Sequence, residues 1–270
     1  MQTLNKHIGG ALWRSDLAHA QAFPMEMPHD DQSRLALAEE LGGERGQFIR
    51  LQVARAASDR GKRRARRSHE SPQEEHLLSL CGKLWAEEIG PFVRIPADYR
   101  GLSFHRGFVA RADIKNMAEA NTAFERAPIE VLAAEAEEFD YISLLQAPWL
   151  DRVRALIVTT RAGDPLALAI SQCPRLRNLR YLGLPHNRFG PAGIEALVAS
   201  PHLVDIPRVD LTGNRPNPVE RPVYDEVGSV VSVDREPFGV ELQARYGDRA
   251  WLHCAWDRRD DEPDVWMERL

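Results

Sequence analysis

Two stretches of the chain, 27 residues apart, carry the same spacing of apolar residues and asparagine, and this internal repeat constrains the fold most. Each stretch has an apolar residue, two more apolar residues at alternating positions, and an asparagine three positions after the last. The first stretch supplies Leu179, Leu182, Leu184 and Asn187, and the second supplies Ile206, Val209, Leu211 and Asn214. The alternation predicts a short strand with one face directed into a core. The asparagine can bond to backbone groups that would otherwise be buried without partners.

A short helix is predicted between the two asparagines, because Ile194, Leu197 and Val198 are spaced three and four apart. Each repeat therefore consists of one strand and one helix. The apolar spacing also occurs 26 residues earlier, at 153–158, although Arg161 stands there in place of the asparagine. A weaker repeat begins near 128–132, with its helix at 139–145. The chain is thus predicted to hold three or four repeats.

The pattern L-x-x-L-x-L-x-x-N with a period in the twenties resembles the leucine-rich repeat. This resemblance implies an α/β fold, a short solenoid of three to four turns over residues 92–215. So few repeats need cover at both ends. Three alternating segments, 228–235, 238–247 and 249–257, predict a C-terminal antiparallel β cap within residues 216–270.

Residues 1–91 are predicted to form an N-terminal helical domain. Its third helix covers 71–89, where Leu77, Leu80 and Leu84 are spaced as one apolar face. Further along the chain, Phe104 and Phe108 are expected to start the sheet of the solenoid.

Two motifs are similar to the N-terminal repeat-companion domain that precedes leucine-rich repeats in many bacterial proteins. The first motif is carried by Arg34, Leu35, Ala38, Leu41, Gly43, Arg45, Gly46, Phe48, Ile49, Leu51 and Gln52. Glu40 and Gln47 depart from this first motif. The second motif is G-L-x-F-x-R-G-F at 101–108. The resemblance implies a companion role beside repeats and no catalytic residue.

Charge, hydropathy and cysteine content narrow the functional classes. A net charge of −5 argues against a general nucleic-acid-binding protein. No apolar run approaches the roughly 20 residues that span a bilayer, so no membrane association is predicted. Three widely spaced cysteines indicate free thiols in a reducing cytoplasm.

The run RGKRRARR at 60–67 is the exception to the acidic balance of the chain. A solvated loop between two helices is the favoured interpretation, and contact with RNA or another phosphate-bearing partner is the alternative.

No sequence motif for nucleophilic catalysis, phosphate binding or a metal centre occurs, so no catalytic residue, metal or cofactor is predicted. The expected function is a non-enzymatic adaptor that binds a protein or peptide through the exposed face of the repeat sheet. The alternative is an accessory subunit or enzyme whose active element lies in the N-terminal domain and whose basic loop at 60–67 contacts nucleic acid. The predicted binding residues are Tyr181, His186, Arg208, Asp210 and Thr160. Tyrosine and arginine on adjacent strands are typical interface anchors.

Overall fold

A computed structural model describes residues 31–59, 71–87, 89–92, 104–219, 221–225 and 230–253. The chain divides into two compact units. One, here the helical unit, comprises residues 1–111 and 121–129, and the other, the sheet unit, comprises residues 112–120 and 130–270. The predicted division of the chain at 91/92 and 215/216 stays a prediction. The basic run at 60–67 lies outside the described residues.

Among the residues that the structure describes, the helical unit contains four complete α-helices and a hairpin, packed around aromatic rings. The helices are α1 (Asp31–Leu41), α2 (Gly43–Asp59), α3 (Pro72–Leu77) and α4 (Lys83–Glu87), with a π-helix (Leu78–Gly82) between the last two. Phe48 lies 5.0 Å from Trp85 and 5.6 Å from Phe104, measured between ring centroids. All three rings are buried, so they form the centre of this unit.

The predicted apolar face of the third helix is wrong in part. Leu77 is buried as expected, and so are Leu78 and Trp85, which the pattern places on the wider apolar side, but Leu80 and Leu84 are exposed. The π-helix explains the change, because its wider turn rotates the residues that follow relative to a regular helix. A spacing of three and four therefore no longer marks one face.

Strands β1 (Phe104–His105) and β2 (Phe108–Val109) form a separate two-stranded antiparallel hairpin. The expectation that Phe104 and Phe108 start the repeat sheet is therefore wrong. The two turn residues, Arg106 and Gly107, have φ angles of 50° and 89°. Positive values at both positions give the tight turn that matches the twist of paired strands.

A five-stranded sheet runs through the sheet unit in the order of the chain. Its strands are β3 (Arg111–Ile114), β4 (Val131–Ala134), β5 (Ala155–Val158), β6 (Tyr181–Gly183) and β7 (Arg208–Asp210). The pairings from β4 to β7 are parallel, and Val131, Ala155, Tyr181 and Arg208 are successive partners. The predicted α/β class is therefore confirmed, whereas membership of the leucine-rich-repeat class stays a prediction.

One α-helix follows each of the strands β3 to β6, because parallel strands need a crossover connection. These helices are α5 (Met117–Arg126), α6 (Tyr141–Gln146), α7 (Asp164–Ser171) and α8 (Pro191–Ala199). Short 3-10 helices, Pro148–Arg152 and Pro174–Asn178, lead from α6 and α7 into the next strand. In α8, Ile194, Leu197 and Val198 are buried, as their spacing predicts.

The last part of the sheet unit differs from the predicted β cap. Strands β8 (Arg221–Tyr224) and β9 (Val230–Asp234) form an antiparallel pair, which confirms the first alternating segment. The second segment is a helix, α9 (Pro237–Tyr246), and the described part of the third contains a 3-10 helix, Ala250–Leu252. Pro237 in the first turn and Gly247 after the last residue are the signals that mark α9 as helical.

Candidate functional site

Two buried asparagines fix the loops that follow the strands of the sheet. Asn187 Oδ1 accepts from the backbone N–H groups of Thr160 and Arg161 at 2.9 and 3.1 Å. Its Nδ2 donates to the carbonyl oxygen of Val158 at 2.7 Å. Asn214 likewise accepts from the Phe189 N–H and donates to carbonyl oxygens of the preceding and its own repeat. The predicted bonding of both asparagines to backbone groups is confirmed.

Tyr181 is not the exposed anchor that the sequence predicts, since only 2% of its surface is accessible. Its ring lies across Gly183, where an added Cβ atom would come 2.9 Å from the ring. The absence of a side chain at Gly183 lets the ring lie flat against the sheet. The hydroxyl then donates to Asp210 Oδ2 on the neighbouring strand at 3.4 Å.

Burial raises the pKa of the Tyr181 hydroxyl above its usual value, and the nearby Asp210 carboxylate adds to the effect. The phenol therefore stays neutral at every physiological pH. As a neutral phenol it donates a hydrogen bond from β6 to β7.

Arg208 and Asp210 lie on β7, and both are half-buried. Arg208 is the register partner of Tyr181, and Asp210 is the partner of Gly183, so the predicted side-by-side placement is confirmed. Asp210 uses its second oxygen to accept from the Thr212 N–H at 2.8 Å. This end of the sheet face thus presents a cation and an anion to solvent.

Thr160 and His186 occupy equivalent places in the loops after β5 and β6, but their exposure differs. Thr160 is 2% exposed, so the predicted direct contact with a partner is wrong for this residue. Within the described part of the chain, its hydroxyl oxygen has no hydrogen-bond partner.

His186 is exposed, and its backbone has a left-handed φ of 54°. Its N–H donates to the Thr212 carbonyl at 2.8 Å. The imidazole covers Gly213, where a Cβ atom would fall 2.0 Å from Nδ1. The glycine therefore provides the space for the ring, which is held at the edge of the sheet.

Two arginines in the same loops, Arg188 and Arg215, are exposed and are absent from the predicted site. Each directly follows one of the ladder asparagines. The recurrence of the dipeptide Asn-Arg at a distance of 27 residues is the sequence signal that identifies them.

Metal and membrane sites can be addressed only for the described residues. These contain no group of three histidine, cysteine or acidic side chains that could hold a metal ion. None of their helices is long and apolar enough to cross a membrane.

The chain matches no protein-family model, no curated protein and no solved structure.

Proposed function

We propose that the chain is a non-enzymatic adaptor of the leucine-rich-repeat type that binds a protein or peptide through its sheet. The observation that carries this proposal is the loop edge, defined as residues 159–163, 185–190 and 212–215, which follow β5, β6 and β7. The Asn187 and Asn214 side chains hold these loops by hydrogen bonds from buried positions. A surface fixed in this way loses little conformational entropy when a partner binds.

The proposed contact surface consists of His186, Arg208 and Asp210, the exposed or half-buried members of the predicted site. Tyr181 and Thr160 are buried, so we assign them to the support of that surface. Arginine is enriched at interfaces, and a neighbouring carboxylate adds selectivity for the charge of the partner.

We further propose that the helical unit is the companion domain implied by its two motifs. Residues of both motifs contact one another within this unit. Arg34 donates through one terminal nitrogen to the carbonyl oxygens of His105 and Arg106 at 3.2 and 3.1 Å. Gln52 Oε1 accepts from the Gly107 N–H at 2.7 Å. These bonds supply a structural reason for the co-occurrence of the two motifs.

A cytoplasmic location also belongs to this proposal. Cys173 is buried with a free thiol, and Cys81 is half-buried and free. Burial raises the pKa of both thiols, so both remain in the less reactive protonated form. Unpaired, protonated cysteines are typical of a reducing compartment.

The test begins with proteins that co-purify with the chain from its native cell, identified by mass spectrometry. Binding of an identified partner is then measured by titration calorimetry. The variant carrying His186→Ala, Arg208→Ala and Asp210→Ala should lose at least about 2 kcal/mol of affinity if the set contains an anchor. Asp210→Ala also removes the acceptor of the Tyr181 hydroxyl and of the Thr212 N–H, so a loss of about 1–3 kcal/mol in the free energy of unfolding is expected, and binding is measured well below the melting temperature.

Replacement of the basic residues at 60–67 by glutamine is the matched comparison for the alternative function. Under our proposal this variant binds the partner normally. We call the triple variant at His186, Arg208 and Asp210 the sheet variant. If the 60–67 variant loses binding and the sheet variant does not, the binding activity lies in the N-terminal domain.

A further inference from the structure

The loops of successive repeats place four residues in one column at the same distance from their strands. The strands are in register at Val131, Ala155, Tyr181 and Arg208. The residue seven positions after each of these belongs to the column. The column members are Glu138, Ala162, Arg188 and Arg215. The charge in this column therefore changes from negative at the first repeat to positive at the last two.

The hydrogen bonds of Asn187 and Asn214, here called the asparagine ladder, hold the loops that carry Arg188 and Arg215. Phe189, which follows Arg188, donates its N–H at 3.1 Å to the side chain of Asn214, which precedes Arg215. Arg188 and Arg215 are the sequence neighbours of the two residues that this bond joins, so they lie on adjacent loops. Arg188 also has a left-handed φ of 63°, which is uncommon for a residue with a side chain.

Neither guanidinium forms a hydrogen bond or an ion pair with any residue that the structure describes. The preceding column gives a contrast, because Arg161 there pairs with Glu137 across the first two repeats. Two exposed cations on adjacent loops attract an anionic group that can reach both. Arginine also donates two parallel hydrogen bonds to a carboxylate.

The acidic end of the same edge decides which kind of anion fits. Glu135, Glu137 and Glu138 are all exposed in the loop after β4. A nucleic acid is a continuous polyanion, and one that followed the edge beyond the arginine pair would meet these carboxylates. A peptide with acidic residues at one end and basic residues at the other matches both ends.

Resting on the proposed adaptor function, we infer that Arg188 and Arg215 bind the acidic end of a charge-segregated peptide segment of the partner protein. The basic end of that segment lies at Glu135 and Glu138. The loop edge and the acidic loop after β4 together select the partner by the order of charges along an extended chain.

The probe for this inference is a fluorescein-labelled peptide with a glutamate block, a glycine spacer and a lysine block, titrated with the full chain. Fluorescence anisotropy at low salt should show binding that weakens as salt is added. A peptide of the same composition with alternating glutamate and lysine should bind at least about fivefold more weakly, a difference of about 1 kcal/mol. Equal binding of the two peptides would overturn the inference.

Arg188→Gln with Arg215→Gln should raise the dissociation constant of the segregated peptide by about fivefold or more, as expected for two exposed ion pairs. The matched control is Arg177→Gln with Arg180→Gln, which changes the net charge equally at two exposed positions before β6. The control should bind within about twofold of the native chain. Arg188→Lys with Arg215→Lys keeps the charge and should bind within about threefold. Equal losses in the glutamine pair and the control, or a lysine pair as weak as the glutamine pair, would contradict the inference.

Two further measurements separate this inference from the proposed function. A single-stranded oligonucleotide that competes more strongly than the peptide would replace the peptide ligand by a nucleic acid. Suppose that the identified partner binds the Arg188 and Arg215 glutamine variant normally and fails to bind the sheet variant. In that case the adaptor function stands and this inference fails. If both variants bind the partner normally, both proposals fail.

Discussion

At the scale of single residues, Asn187 tests whether the ladder is structural. The side chain is fully buried and makes three hydrogen bonds to backbone groups of the preceding repeat. Asn187→Ala leaves these groups buried without partners, so we expect a loss of about 1–3 kcal/mol in the free energy of unfolding. Urea denaturation followed by circular dichroism measures it. Loss of partner binding with an unchanged denaturation midpoint would instead make Asn187 a ligand contact.

Tyr181 should make stability depend on alkaline pH. Its pKa is raised in the folded chain, so its contribution is complete below the unfolded value of about 10 and is lost as the pH rises toward the folded value. Tyr181→Phe cannot ionise and should lose less stability than the native chain as the pH rises above about 10. At pH 7 the variant lacks the long hydrogen bond to Asp210 and should differ by about 1 kcal/mol.

The comparison is made by urea denaturation at a series of pH values, with Tyr246→Phe as the control. Tyr246 donates to Glu195 at 2.6 Å and is only half-buried. Identical alkaline slopes for the native chain and Tyr181→Phe would show that Tyr181 ionises in the folded state as it does in water.

Residue-level prediction from the sequence succeeds where the spacing fixes the direction of a side chain. The alternation places Leu182 and Leu184 in the core and Tyr181 on the opposite face. It does not establish exposure, because the ring of Tyr181 is covered through its contacts beside Gly183 and Asp210. Burial depends on what the neighbouring strands carry, and that information is distributed over several repeats.

At the scale of elements, helix α9 packs closely against the loop that precedes β8. Gly239 has no room for a side chain, since an added Cβ atom would lie 2.5 Å from the carbonyl oxygen of Pro218. Gly239→Ala should therefore displace the helix and cost about 1–3 kcal/mol, although alanine favours a helix. The measurement is thermal denaturation. The control variant is Val240→Ala, because Val240 is the next residue of the helix and is exposed. The control should change stability by no more than about 0.5 kcal/mol. A Gly239→Ala variant as stable as the native chain would show that the helix and loop can separate without cost.

Elements are predictable from the sequence when one period runs through them, and α8 and β5 to β7 are of this kind. The exceptions have local physical causes. The π-helix at Leu78–Gly82 interrupts the regular period of its neighbours, and no side-chain pattern announces it. The segment at 238–247 alternates like a strand, but its proline and glycine set the ends of a helix. Residues that mark the two ends of a helix are therefore a stronger signal for its secondary structure than a short alternation of apolar and polar residues.

At the scale of the whole molecule, the covering of the last repeat decides whether the sheet unit unfolds in one step. Trp251 and Leu252 are buried, and the Trp251 indole donates to the Leu203 carbonyl at 3.3 Å. Arg249 donates to the Val198 carbonyl at the end of α8 at 3.2 Å. These contacts cover the segment between α8 and β7, the last strand of the parallel sheet.

Deletion of residues 217–270 should therefore expose apolar surface of the last repeat and cause aggregation or loss of secondary structure. The reason is that three or four repeats bury too little surface to remain folded once one end is open. Circular dichroism and size-exclusion chromatography of the truncated chain provide the measurement. The double variant Val223→Ser with Val231→Ser, at two exposed apolar positions of β8 and β9, controls for changes on the outside of the same region. It should stay monodisperse with an almost unchanged melting temperature. A truncated chain that is soluble and melts at the native temperature would show that residues 217–270 are an independent module, and that β4 to β7 with their helices fold without them.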